Sequence, residues 1–132
     1  MQASLAFPQS LTEKYRPTRV SDFAGLDKPK RILGNFVRAP RSLALLFVGP
    51  SGTGKTTMAL ALAAELNAEV HHIGSQECSV AELEHVVHMC QYVPLRGGFH
   101  VILIDECDQS TDKAQLFLLS RLDATAFPPN TI

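Results

Sequence analysis

Apolar residues run along this chain in two alternating periods from residue 43 onward. Leu43-Ala-Leu-Leu-Phe-Val48 is an apolar run that reads as a first strand, with Glu69 to Ile73 as the second strand and His100 to Ile104 as the third. Between and after them come helical patterns: Lys55 to Leu66, Val80 to Gln91, and a stretch capped by Thr111 or Asp112 that reaches about Leu122. Arg96-Gly97-Gly98 marks the turn into the third strand. Strand and helix in alternation predict an α/β fold, a parallel sheet flanked by helices.

The first forty residues follow neither period. Pro8, Pro17, Pro29 and Pro40 punctuate a segment rich in Lys and Arg. This pattern predicts an irregular N-terminal arm with one short helix, Lys28 to Val37, whose apolar face is Ile32, Leu33, Phe36 and Val37. The chain thus divides into an arm at 1–41 and a core at 42–132.

The junction of the first strand with the first core helix carries the chemistry. Gly49-Pro50-Ser51-Gly52-Thr53-Gly54-Lys55-Thr56 fits G-x-x-x-x-G-K-[ST], between a strand and a helix as that pattern requires of a P-loop NTPase. Glycines at 49, 52 and 54 let the backbone bend into a cup of N–H donors, and the helix behind adds its positive dipole end. Lys55 supplies a point charge to a polyphosphate such as ATP, and the Thr56 hydroxyl a ligand for Mg2+.

The third strand breaks at its carboxyl end into Asp105-Glu106-Cys107-Asp108. Strand ends are where open α/β sheets bind ligands. In a P-loop protein Asp105 would hold the Mg2+ shell, and Glu106 would be the catalytic carboxylate that orients or deprotonates an attacking water. That pairing predicts hydrolysis as well as binding.

Composition adds mostly exclusions. At 132 residues and 45% hydrophobic content the chain has enough material for one core and is not disordered in general. Its three cysteines, Cys78, Cys90 and Cys107, share no C-x-x-C spacing, so they read as reduced, buried thiols. His71 and His72 must face opposite sides of a strand, and His85 and His88 have no Cys or acid fixed opposite them by sequence, so no metal site is read among the histidines. Met58, Met89 and Leu116-Phe-Leu-Leu119 read as core packing, and Arg41 and Arg121 as solvated surface. No apolar run approaches the roughly 18 residues of a membrane span and no signal peptide is visible, so a soluble, intracellular protein without a membrane partner is expected. A net charge of −1 neither demands nor excludes nucleic acid.

Three further segments carry a family resemblance. Leu11-Thr-Glu-Lys-Tyr-Arg-Pro17 followed by Val20-Ser-Asp-Phe-Ala-Gly25 resembles the box that opens the small subunits of sliding-clamp loaders, the replication factor C group of AAA+ ATPases. Gly49 through Thr57 is similar to that group's Walker A, Asp105-Glu-Cys-Asp108 to its Walker B, and Thr111-Asp-Lys-Ala-Gln115 to its continuation. The resemblance implies an AAA+ core whose arm folds over the nucleotide base, with Thr12, Arg16, Phe23 and Ala24 bordering the adenine and Thr57 completing the phosphate site. It also implies that Gln115 links DNA-facing helices to the ATP site. By composition alone, Tyr15, Pro17 and Phe23 would instead pin the arm to the core.

Expected partners follow from the same resemblance: ATP and ADP, other AAA+ subunits in a ring or spiral, and DNA with a sliding clamp. The chain departs from the pattern where paired arginines are usual, having Leu119 and Ser120 with a single displaced Arg121, which weakens the expectation for primed DNA. The resemblance also implies sheet order 5-1-4-3-2, with Asn130-Thr-Ile132 the first step of strand four. By that reading the core is truncated before the polar sensor, arginine finger and lid, and the isolated chain should turn ATP over poorly. Two other readings stay open: another DNA-linked AAA+ remodeller, such as a branch-migration motor or helicase loader, and a nucleotide-switched scaffold. Glu106 argues against the scaffold, since a pure binder needs no water-activating carboxylate.

Overall fold

Residues 9–95, 97–122 and 127–132 are described by the structure, a computed structural model. Helix α1 (Leu11–Lys14) and a 3-10 turn at Val20–Asp22 lie in the arm, followed by α2 (Asp27–Arg38). The core contains α3 (Lys55–Glu65), β1 (Glu69–Ile73), α4 (Val80–Met89), β2 (His100–Ile104) and α5 (Asp112–Arg121). Ser79 caps α4 and Thr111 caps α5, each hydroxyl accepting a backbone N–H three residues on. Among the described residues no helix is long and apolar enough to cross a membrane.

β1 and β2 pair in parallel, with Glu69 opposite His100 and Ile73 opposite Ile104. Helix α4 is the crossover between them, as a parallel pair requires. Side chains two apart share a face. One face, with Ile73, Ile102 and Ile104, packs under α4 and α5 against Leu83, Val86, Ala114, Phe117 and Leu118. The other face carries Val101, which packs with Ala63 and Ala68 at the end of α3. Beyond β2, Thr131 bridges His100 in parallel, and Ile132 N–H donates to His100 O at 2.9 Å.

Leu43–Val48, predicted as the first strand, forms no ladder among the described residues. Its alternation survives: Leu43, Leu45 and Phe47 are half-buried, while Ala44, Leu46 and Val48 are exposed. The reason is position. The flank of β2 that would be nearest is taken by Asn130–Ile132, and Ser42 Oγ, just before the run, accepts from Thr131 N–H at 3.2 Å. A strand without a paired neighbour keeps its pleat and lacks ladder bonds.

The arm is held by packing. Val20 and Phe23 are buried with Leu33 of α2 and Met58, Ala61 and Leu62 of α3. Val20 N–H donates to Glu65 Oε2 at 3.1 Å, and Lys30 Nζ to Phe23 O at 2.9 Å. The face expected for α2 is present in Leu33, Phe36 and Val37, but Ile32 is 52% exposed. Helix α5 departs further. Ala114, Phe117 and Leu118 face the core at helical spacing, so Leu116 and Leu119 fall on the opposite side, 65% and 68% exposed. Met89 also stands out at the end of α4, whereas Met58 is buried. Cys78 and Cys90 are buried free thiols and Cys107 is half-buried. Arg96, part of the predicted turn, lies outside the described residues; Gly97 N–H there donates to Pro94 O at 2.9 Å.

Candidate active site

Residues 49–54 form the loop that turns the apolar run into α3. Gly52 and Gly54 sit at φ +76° and +88°, left-handed backbone that L side chains rarely adopt. A Cβ at Gly54 would also meet the Phe23 ring at 3.4 Å, so the arm closes directly on the loop. Thr53 Oγ1 donates to Pro50 O at 2.8 Å and steadies the turn.

Lys55, the first residue of α3, folds its side chain back over this loop. Its Nζ donates to Gly49 O at 2.8 Å and Pro50 O at 2.7 Å. The ammonium thus lies over the same loop whose backbone can receive an anion at a helix N-terminus.

The next residue, Thr56, donates through Oγ1 to Asp105 Oδ1 at 2.6 Å. The other carboxylate oxygen, Oδ2, contacts His72 Nε2 at 3.0 Å. Asp105 N–H donates to Ile73 O at 3.1 Å, which fixes the carboxyl end of β2 against β1. A hydroxyl and a carboxylate oxygen this close suit a small hard cation. An octahedral Mg2+ with bonds of about 2.1 Å has cis oxygens about 3.0 Å apart, so a slight opening of the pair admits it.

Glu106 follows in the left-handed region at φ 49°, ψ 47°, with its side chain exposed. For a glutamate this backbone is uphill by roughly 1 kcal/mol, a cost met where a side chain must be aimed. Its carbonyl accepts from Gln109 N–H at 2.8 Å, closing the short helical turn Cys107–Gln109. Ser110 Oγ donates to Cys107 O, and Gln115 Nε2 to Ser110 O at 3.1 Å. These bonds connect α5 back to the residue beside Glu106.

An open cleft of about 1850 Å³ joins these groups. Gly49, Ser51, Gly52, Gly54, Lys55, Thr56, Thr57, Asp105 and Glu106 all line it, and Thr12 and Arg16 border it from the arm. Phe23 lies beneath the loop, 8% exposed, and Ala24 is exposed beyond the cleft wall. Of the residues considered for pinning the arm, Phe23 is buried and Pro17 half-buried, while Tyr15 is 71% exposed. Arg121 also lines the cleft, with its guanidinium 5.1 Å from the Phe117 ring. The contact between His72 and Asp105 is not visible in either motif; only the parallel register of β1 on β2 brings these residues together.

Comparison with known proteins agrees with this geometry. A family model described as ATPase family associated with various cellular activities (AAA) matches residues 45–126. Replication factor C small subunit 2 of Pyrobaculum aerophilum is 37% identical over 111 residues, 78% of this chain and 35% of the relative. The replication factor C small subunit of Methanocella arvoryzae is 34% identical over 123 residues, 87% of this chain and 38% of the relative. The chain therefore spans about a third of the length of the curated relatives it matches. Among solved structures, the Thermotoga maritima RuvB Holliday junction branch migration motor superposes with a TM-score of 0.70 at 22% identity, over 89% of this chain and 40% of that one. That likeness is one of fold. With the family model covering most of the chain, and a parallel sheet, helices on both faces and a P-loop in place, this chain belongs to the AAA family of ATPases.

Proposed function

We propose that this chain is the nucleotide-binding part of a clamp-loader-type ATPase that uses ATP binding and hydrolysis to place a sliding clamp on primed DNA. The observation that carries the reading is the 2.6 Å contact of Thr56 with Asp105, which brings the end of the P-loop to the acidic end of β2. Residues 1–41 act as the arm over the nucleotide base and residues 42–132 as the core.

Each residue's task follows from its chemistry. The N–H groups of Gly49 to Thr57, with Pro50 contributing only its fixed turn, receive the phosphate oxygens. Lys55 exchanges its two carbonyl acceptors for a phosphate oxygen, a stronger partner for an ammonium. Thr56 and Asp105 hold Mg2+, which when bound neutralises charge developing on the phosphates. His72 keeps Asp105 turned toward Thr56. Glu106 orients and deprotonates the attacking water. Thr12 and Arg16 border the base, while Phe23 supports the arm from below and Ala24 continues it. Gln115, through Ser110, relays movement of α5 to the segment bearing Glu106.

The similarity to replication factor C small subunits supports the clamp-loader reading, with other AAA subunits, DNA and a clamp as partners. A second reading, a DNA-linked remodeller with another client, is favoured by α5, which presents Leu119 and Ser120 to solvent where the resemblance expects arginines. Steady-state ATP hydrolysis by the full-length protein separates the two. Joint stimulation by primed DNA and a clamp, absent in Lys55→Ala, is the expected result. Stimulation by DNA with no clamp effect would replace the loader by the remodeller, and no Lys55-dependent turnover would leave a scaffold.

A further inference from the structure

The start of β2 holds a second group of ligating atoms, about 16 Å along the strand from Asp105 at roughly 3.3 Å per residue. One such atom from each of His71, Cys90 and His100 lies within 4.8 Å of the other two. The register accounts for two of them: His100 pairs with Glu69 and Ile102 with His71, so all four share one face of the sheet. Cys90, the C-cap of α4, is brought down onto that face, 1% exposed, beside His100 at 3%. The same face continues as Ile73, Ile102 and Ile104, so the polar group sits at the margin of an apolar layer.

Hydrogen bonds orient His100 as a metal ligand is oriented. Its Nε2 lies 2.8 Å from Tyr92 O, and a carbonyl only accepts, so Nε2 carries the proton and Nδ1 presents a lone pair. That lone pair faces His71 Nε2 at 3.0 Å. Metal-bound imidazoles hold their second N–H on a carbonyl in this manner. The nitrogen separation is also near the ~3.3 Å edge expected for two imidazoles on tetrahedral zinc with bonds of about 2.0 Å.

We propose that His71 Nε2, His100 Nδ1 and Cys90 Sγ form a binding site for a borderline-soft divalent ion of the zinc class, separate from the nucleotide cleft, which fastens the end of α4 to the sheet. Two imidazoles and a thiolate are the donor set that such ions prefer over Mg2+. The exchange balances without electron transfer. Cys90 releases its thiol proton to solvent, and half-buried His71 gives up the Nε2 proton and takes one at Nδ1. The ion and thiolate together leave one positive charge, offset by Glu69 on the same face, whose Oε2 already accepts from Leu95 N–H at 2.9 Å. The fourth position is open to water.

The test is titration of chelator-treated protein with Co2+ and then Zn2+. One ion per chain is expected, with a thiolate-to-cobalt charge-transfer band and the strong visible bands of a four-coordinate ion, both displaced by zinc. Zinc should raise Tm by about 10 °C at saturating concentration. Cys90→Ala should remove the charge-transfer band, while Cys107→Ser, outside the cluster, should keep it. His71→Gln should weaken cobalt binding at least about tenfold. Lys55→Ala should bind cobalt like the wild type, so this result stands or falls apart from the nucleotide site. A protein that retains no ion, binds one with no thiolate band, or keeps the band in Cys90→Ala overturns the proposal. Should Cys90→Ala fail to fold, undiminished cobalt affinity in His71→Gln overturns it instead.

Discussion

Thr56 and Asp105, 49 residues apart, meet through a 2.6 Å hydrogen bond, and His72 takes the other oxygen of the same carboxylate at 3.0 Å. The carboxylate is thus held from both sides before any ligand arrives. Removing His72 leaves Oδ2 free to turn away. His72→Ala should raise the Mg2+ concentration needed for half-maximal ATP binding about tenfold, with His72→Asn restoring part of it. Magnesium titrations of nucleotide binding by calorimetry read this directly; an unchanged magnesium requirement would remove His72 from the site.

Among the described residues, Lys55 Nζ has backbone carbonyls alone as hydrogen-bond partners. Lys55→Ala should therefore leave thermal stability nearly unchanged while weakening Mg-ATP binding at least a hundredfold, equivalent to roughly 3 kcal/mol. Calorimetric titration and a melting curve on the same sample give both values. Undiminished affinity would contradict the phosphate-cradle assignment.

Phe23 and Gly54 form the contact by which the arm closes on the loop. Phe23→Ala should cost about 3–4 kcal/mol in denaturant unfolding, as expected for an emptied aromatic site in a core. Gly54→Ala places a Cβ both at φ +88° and at 3.4 Å from the Phe23 ring. It should destabilise by about 1–2 kcal/mol and weaken ATP binding more than Phe23→Ala does.

Burial pushes the Cys90 thiol up from 9.0 to about 11, against a hydrogen bond from the Thr131 side chain that lowers it. In the unfolded chain this thiol ionises near its ordinary value, so between pH 9 and 11 the folded state binds more protons than the unfolded one. Stability from Cys90 is then complete below pH 9 and is lost as pH rises through that window, on the order of 2 kcal/mol in metal-free protein. Urea unfolding at pH 8 and pH 10.5 should show the loss in wild type and a smaller one in Cys90→Ala.

Local signals in the sequence were enough for the P-loop and for the two paired strands, because the glycines, Lys55 and the runs at 69–73 and 100–104 each act through near neighbours. Leu43–Val48 shows where that reading stops. Its alternation is a property of the chain and is present; its ladder depends on what occupies the space beside β2. Leu116 and Leu119 failed as core for a related reason, since an apolar run on a helix does not say which third of the helix meets a neighbour. The His72 contact with Asp105 and the meeting of His71, Cys90 and His100 both depend on strand register and on where α4 ends, which spacing along the chain does not encode.

Hydrolysis by Glu106→Gln tests the central claim most directly. Glu106 sits next to Asp105 at a left-handed position, exposed to the cleft. In the full-length protein the variant should bind Mg-ATP with affinity within about threefold of the wild type and turn it over about 10²- to 10⁴-fold more slowly. Turnover equal to the wild type, at unchanged affinity, would show that Glu106 does not activate the attacking water.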